Sequence, residues 1–281
     1  MGGKKVALVT GAGGGLGAAI TEALADIGYK VAALDQTAET ASKVVDSRPD
    51  IAGAITPIVA DIRSAKACDD AVEETVSQFG NLHLLVNNAG IGQSIIRENY
   101  YVDNIMFWEV SEENWDSVMD TNVKAAFMLA KAALPHMLEA GWGRIVNVTT
   151  SLDTMIRRGW TPYGTSKAAL EACSAIWSKD LEDKPVTVNV LVPGGPVNTG
   201  MVPPASAPNR DSLIQPEVMK QPVCWLASND SDNFNGRRMV ATLWDATLSN
   251  TEAAYKASSP AAWPGLGAQA VIADDNPMQG V

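Results

Sequence analysis

Histidine and cysteine are scarce in this chain, and both shortages narrow its chemistry. His83 and His136 are the only histidines and lie far apart in sequence, so a histidine-based metal site is not expected. The three cysteines, Cys68, Cys173 and Cys224, are odd in number and widely spaced, with no C-x-x-C pair. That pattern supports neither a disulfide framework nor a zinc site, and it fits a reducing compartment. Basic residues are outnumbered: 21 Lys and Arg face 32 Asp and Glu, a formal net charge of −11. A phosphate backbone would be repelled, so nucleic acid is not expected as a partner. Long apolar runs are also missing. Lys124, Lys131 and Pro135 interrupt the longest candidate, and Val6–Val9 is too short for a signal-peptide core. The expectation is a cytoplasmic protein that does not span a membrane.

What is present is the balance of a globular protein, with 46% apolar and 19% charged residues over 281 positions. Short runs rich in Val, Ile and Leu recur at Val6–Val9, Val31–Leu34, Ile55–Val59, Leu82–Val86, Arg144–Val148, Val186–Val192 and Arg238–Thr242. They lack polar alternation, as strands buried on both faces of a parallel sheet do. The spacers have helical length and period; in Gly15–Gly28, Leu16, Ile20, Leu24 and Ile27 fall on one stripe. These repeated βα units predict an α/β fold: one Rossmann-type, doubly wound parallel sheet of about seven strands with helices on both faces. The catalytic domain is expected over 1–245. Residues 246–281, broken by Pro260, Pro264 and Pro277, read as a C-terminal arm, suited to a subunit interface.

Strand one runs into Thr10-Gly11-Ala12-Gly13-Gly14-Gly15-Leu16-Gly17, and a helix follows. Glycines let the backbone approach a pyrophosphate, and the helix start offers free N–H groups and a positive dipole end. A Gly-rich stretch alone is often only a turn; the strand-to-helix context makes it a nucleotide site. Asp35 ends the second strand, 18 residues after Gly17. A carboxylate there accepts from ribose hydroxyls and repels a 2′-phosphate. With no Arg or Lys in the glycine loop, and none after Asp35 until Lys43, NAD is expected over NADP. The plain alternative is that Asp35 caps the next helix.

Tyr163 and Lys167 stand four apart, just after Pro162, which puts both on one face of a helix. A free phenol has a pKa of about 10. To act as a base near neutrality it must fall by roughly 2–3, equivalent to about 3–4 kcal/mol. A neighbouring ammonium and an oxidised nicotinamide both favour phenolate.

Taken together, the motifs closely resemble the short-chain dehydrogenase/reductase family. They are Thr10-Gly11-(x)3-Gly15-Leu16-Gly17, Asp61-Ile62, Asn87-Asn88-Ala89-Gly90, Thr121-Asn122, Tyr163-(x)3-Lys167 and Pro193-Gly194, in family order over about residues 4 to 242. The resemblance implies roles. Tyr163 would be the acid/base, and Lys167 would hold the nicotinamide ribose and lower the Tyr163 pKa. Asn122 would fix a water linking Lys167 to solvent. Gly11, Gly14, Gly15, Leu16 and Gly17 would cradle the phosphates. Asp61 and Ile62 would contact adenine, while Asn88, Ala89, Gly90, Pro193, Gly194 and Val197 would line the cofactor cleft. The family's usual serine, 13 positions before the tyrosine, is here Thr150, with Ser151 beside it. Only one of these hydroxyls should reach the substrate, and Thr150 is favoured. Thr199 is expected at the nicotinamide carboxamide, although Pro193–Thr199 is one residue longer than the family pattern.

The substrate is less legible. Gln93–Val110 is long and aromatic, and Tyr100, Tyr101, Trp108, Met155, Trp160 and Met201 fall in or beside the expected pocket loops. An apolar or aromatic substrate, core packing and subunit contacts all fit. Arg157 and Arg158 could grip a carboxylate or could be ordinary surface arginines. The helix 163–182 carries apolar residues on several faces, which with the resemblance implies a homo-oligomer, a tetramer or dimer. The expected activity is NAD-dependent interconversion of a secondary alcohol and its carbonyl compound. The alternatives are a cofactor-binding regulator without turnover and a dehydratase or epimerase that reuses the Tyr/Lys pair.

Overall fold

The computed structural model describes residues 4–207 and 209–266. Eight strands form one sheet: β1 (Val6–Thr10), β2 (Lys30–Asp35), β3 (Ile55–Val59), β4 (Leu84–Asn87), β5 (Gly143–Val148), β6 (Val186–Val192), β7 (Arg237–Val240) and β8 (Ser258–Pro260). Their spatial order is 3-2-1-4-5-6-7-8, parallel throughout except for the antiparallel β7–β8 pair. The helices are α1 (Gly15–Asp26), α2 (Ala38–Ser47), α3 (Ala65–Phe79), α4 (Glu112–Met119), α5 (Ala125–Glu139), α6 (Leu152–Met155), α7 (Tyr163–Asp180), α8 (Lys220–Leu226) and α9 (Asn250–Lys256). Among the described residues, no helix is long and apolar enough to cross a membrane.

Strand residues alternate between two cores because successive side chains point to opposite faces. Ala7, Val9, Val31, Ala33, Leu84 and Val86 join Ile20 and Leu24 of α1 and Val223 of α8 on one side. Val6, Leu8, Ala32, Leu34 and Leu85 meet Val72 of α3 and Leu129 and Met137 of α5 on the other. Each fully buried Leu or Ile contributes roughly 1.5–3 kcal/mol, and both faces of the central strands are filled this way. Of the stripe expected on α1, Ile20 and Leu24 are buried, whereas Ile27 is the exposed C-cap residue.

The strand order reverses between β1 and β4, leaving a crevice beyond their C-terminal ends, where ligands sit in such sheets. The loops after β1, β4, β5 and β6 all open there.

The first part of the expected C-terminal extension returns to the sheet. Residues 250–256 form α9, and Ser258–Pro260 pairs with Met239–Arg237 as an eighth strand. Pairing at the open edge of β7 uses backbone groups, so Ser-Ser-Pro needs no apolar pattern to join. Ala253, Ala254, Ala257 and Ala261 are buried beneath this return. Residues 267–281 lie outside the described residues.

Candidate active site

The glycine loop is packed against its neighbours rather than merely turned. A Cβ placed on Gly17 would lie 1.9 Å from the Gly11 carbonyl oxygen and 2.6 Å from Asn88 Nδ2. Asn88 itself donates to the carbonyls of Thr10 (2.9 Å) and Gly11 (3.2 Å), tying the loop to the end of β4. The α1 N-terminus has no side-chain cap and no acidic residue in its first turn. Over Gly14 a Cβ would meet nothing within 4 Å, and Gly14, Gly15 and Leu16 line the main cleft. Free N–H groups at a positive helix end, beside open space, fit a pyrophosphate.

Asp35 flanks this loop. Its carboxylate accepts from the Gly13 amide (2.9 Å), the Gln36 amide (2.7 Å) and the Thr40 hydroxyl (2.9 Å). The N-cap of α2 is Thr37, so Asp35 is not the cap. Asp61 is exposed and ion-paired to Arg63, while the Ile62 side chain packs into the core, so Ile62 would meet an adenine through its backbone.

Tyr163 opens α7 and Lys167 follows one turn later, both buried at the cleft. Thr150 lines the cleft with Tyr163, and its hydroxyl acts to lower the Tyr163 pKa. Ser151 is engaged elsewhere: it caps α6, accepting from the Thr154 amide at 3.1 Å and sharing a hydrogen with the Thr154 hydroxyl. Lys167 Nζ donates to the Val148 carbonyl at 2.9 Å and lies 6.0 Å from the Tyr163 ring centroid. Burial pushes the Tyr163 phenol up to about 12, with the nearby Thr150 hydroxyl opposing it. Burial also brings Lys167 down to about 8. At about 8 the buried Lys167 amine still holds its proton at neutral pH, and the Thr150 hydroxyl is the protein group that acts to lower the Tyr163 pKa.

Asn122 sits in a five-residue π turn, Asp120–Lys124, between α4 and α5. Such bulges re-aim side chains at functional sites. Asn122 grips Ile91 in both directions, accepting from its amide and donating to its carbonyl at 2.9 Å each, and also donates to Ser166. It thereby fixes the loop after β4 against α7. A Cβ on Gly90 would come 3.2 Å from Asn122 Oδ1 and 3.3 Å from Lys167 Nζ. Ala89 and Gly90 line the cleft, as do Pro193, Gly194, Val197 and Thr199 on the opposite wall. The Thr199 side chain stands over Gly15, 2.7 Å from where a Cβ would be. Gly194, at φ +111°, passes so close to Thr242 that a side chain would collide.

The cleft has a volume of roughly 530 Å³. Beyond Tyr163 its wall is aromatic: Tyr100, Tyr101 and Trp160 pack with ring centroids 4.6–5.7 Å apart, and Met201 joins them. Trp108 and Met155 fall outside this wall; Trp108 is 71% exposed and pairs with Phe107, while Met155 is buried beside α7. Arg157 reaches the cleft edge, but its guanidinium pairs with Asp153.

Two residues not singled out from the sequence hold the walls. Gln93 is buried, donating to the carbonyls of Gly159 (2.8 Å) and Thr161 (3.0 Å) and accepting from the Tyr163 amide at 3.4 Å. Arg210 clamps the loop after β6 through Asn198, Thr199 and Val202 at 2.7–2.8 Å. A polar residue inside an apolar-aromatic segment was the one available signal for Gln93; none marked Arg210.

A reversing parallel sheet, an uncapped glycine-rich helix start and a buried Tyr/Lys pair define a dinucleotide-dependent oxidoreductase. The family model "short chain dehydrogenase" matches residues 5–210, and the chain belongs to that family. A 3-oxoacyl-(acyl-carrier-protein) reductase of Thermotoga maritima is 29% identical over 242 residues, covering 83% of this chain and 94% of that protein. Among solved structures, a 3-ketoacyl-(acyl-carrier-protein) reductase from Brucella melitensis complexed with NADH matches with TM-score 0.71 and 26% identity, covering 83% and 94% of the two chains. A structure assigned to an NAD(P)-dependent gluconate 5-dehydrogenase from Beutenbergia cavernae, with NADP at low occupancy, gives 0.72 and 28%, covering 83% and 93%.

Proposed function

We propose that this enzyme uses NAD to interconvert a secondary alcohol, apolar or aromatic, and its ketone, with Tyr163 as acid/base. The observation that carries the reading is that Thr150, Tyr163 and Lys167 line one cleft, set between the open α1 N-terminus and the aromatic wall. Asp35 beside the glycine loop supports NAD, because a 2′-phosphate would meet its negative charge. One of the structural relatives carries NADH and another NADP, so for this chain the preference for NAD rests on the charge at position 35.

The cleft residues from Gly14 to Leu16 and from Pro193 to Thr199 would hold the dinucleotide, which would supply hydride chemistry at the carbinol or carbonyl carbon. Thr150 holds the substrate oxygen and donates to it as a hydroxyl does. In oxidation, Tyr163 Oη as phenolate removes the hydroxyl proton while the C–O bond becomes C=O. In reduction, the phenol returns that proton to the oxygen. Lys167, one helical turn from Tyr163 and held by the Val148 carbonyl, would bind the nicotinamide ribose. The Tyr100, Tyr101 and Trp160 rings exclude water from the side where an apolar substituent would lie. The exposed Phe127 and Ile176, on α5 and α7 beside Trp177, support a homo-oligomer built across these helices.

The test is reduced-nicotinamide absorbance with NAD and NADP against aliphatic and aromatic secondary alcohols and ketones. Turnover is expected with NAD and aromatic or bulky apolar members. NAD binding with no turnover across the panel would favour the regulator alternative.

A further inference from the structure

Behind the catalytic hydroxyl lies a buried ion pair that the reaction above does not use. Arg238 of β7 and Glu171 of α7 pair at 2.7 Å, with side chains only 6% and 0% exposed. The other arm of the guanidinium, Nη2, donates to the Thr150 carbonyl at 2.5 Å. Glu171 Oε2 also accepts from the Thr149 hydroxyl at 2.8 Å, and Arg238 Nη1 approaches that hydroxyl at 3.3 Å. From the C-terminal segment, the Ala262 amide donates to Glu171 Oε1 at 3.2 Å. Four chain segments therefore converge on one point.

Ion pairs this deep seldom add net stability, because desolvating both charges offsets their attraction. Their other use is to fix a geometry. Here the geometry is that of Thr150, which lies just beyond β5, after its last residue Val148, and before the α6 cap at Ser151. No ladder or helix positions it. Arg238 supplies the missing restraint through the carbonyl, and Glu171, one turn after Lys167 on α7, holds Arg238 in place.

We infer that Arg238 and Glu171 are positioning residues for the reaction: together they anchor the Thr150 carbonyl, and so aim the Thr150 hydroxyl at the Tyr163 phenol, with the C-terminal return closing the pair off from solvent. The inference rests on the reading of Thr150 as the catalytic hydroxyl. It adds that residues touching neither substrate nor cofactor set the rate through Thr150.

A double-mutant cycle tests this in the full chain, with the best alcohol from the panel above. Replacing both partners by apolar groups, Arg238→Met with Glu171→Leu, avoids stranding a buried charge. Misplacement of a reacting group on the order of an ångström can cost up to about 100-fold. The pair of substitutions should lower kcat by about 10- to 30-fold, with KM and the NAD dissociation constant changed less than about threefold. In the Thr150→Ala background the same pair should cost less than about threefold, because the group being aimed is gone. Equal fold losses in both backgrounds would mean a general structural role and would overturn the inference. So would an unchanged kcat in the parent. If Thr150→Ala alone leaves turnover intact, the reading of Thr150 fails and takes the inference with it. Should the paired variant not fold, Arg238→Lys keeps a charge opposite Glu171 but loses the second arm to Thr150. It should then show a smaller drop in kcat, again absent without the Thr150 hydroxyl, and equal drops would refute the proposal.

Discussion

Replacing Lys167 by Met should change the pH dependence of stability in a defined window. Burial brings the Lys167 amine from the ordinary lysine value of 10.5 to about 8 in the folded chain. In the unfolded chain it returns to the ordinary value, so below about pH 8 both states are protonated and the native state bears the full cost. A difference of about 2.5 in pKa corresponds to about 3 kcal/mol. Between about pH 8 and 10.5 the unfolded chain holds the proton that the native chain has released, so the free energy of unfolding rises with pH. Above that window both states are neutral and the cost has gone. Integrated from about pH 7 to about pH 10, the wild type should gain about 2.5 kcal/mol that the Lys167→Met variant lacks. Losing the hydrogen bond to the Val148 carbonyl shifts the variant by a pH-independent amount, so only the change in the difference matters. The assay is urea unfolding of both proteins across this range. Curves that stay parallel within about 0.5 kcal/mol would refute the assignment of Lys167 as a buried amine with a depressed pKa.

Three further outcomes follow from the same geometry. Thr150→Ala should cut kcat by about 100-fold while NAD affinity holds; Ser151→Ala should instead lose about 1 kcal/mol of stability, as a missing helix cap does, and keep turnover within a few fold. Steady-state kinetics and urea titration separate the two. Asp35→Ala should weaken NAD binding about tenfold or more, the worth of one to two hydrogen bonds to a charged group, and let NADP bind comparably; a fluorescence titration reads both. Gly17→Ala forces a Cβ to within 1.9 Å of the Gly11 carbonyl, so the loop must open. The expected cost is at least 1–3 kcal/mol (an order-of-magnitude figure, roughly that of overpacking a core) together with loss of NAD binding. Thermal unfolding and the same titration check it.

Most of the scaffold was legible because its signals are local. Strands buried on both faces need apolar residues at every position, so β1, β2, β5 and β6 stood out, and Tyr163 and Lys167 declared themselves by helical spacing. The last strand did not. Ser258–Pro260 joins the sheet through backbone groups at an edge, which leaves no apolar pattern to read. Thr150 and Ser151 could be ranked but not separated, because what separates them is a four-residue helix whose cap consumes one hydroxyl. The burial that raises the Tyr163 phenol was hidden for a related reason: sequence shows that a lysine is near a tyrosine, but not that both are dry. Arg238 and Glu171 lie 67 positions apart, and a charge at the end of an apolar run looks like an ordinary strand terminus until the chain has folded.

The Tyr163→Phe variant, assayed for turnover and NAD binding in parallel, tests the central assignment most directly. The ring and its packing against Trp160 survive, and only the oxygen that carries the proton is lost. Turnover should fall by about 10²–10⁴-fold with the NAD dissociation constant unchanged. Retained turnover would contradict the assignment, because the proton would then be moving through some group other than this phenol.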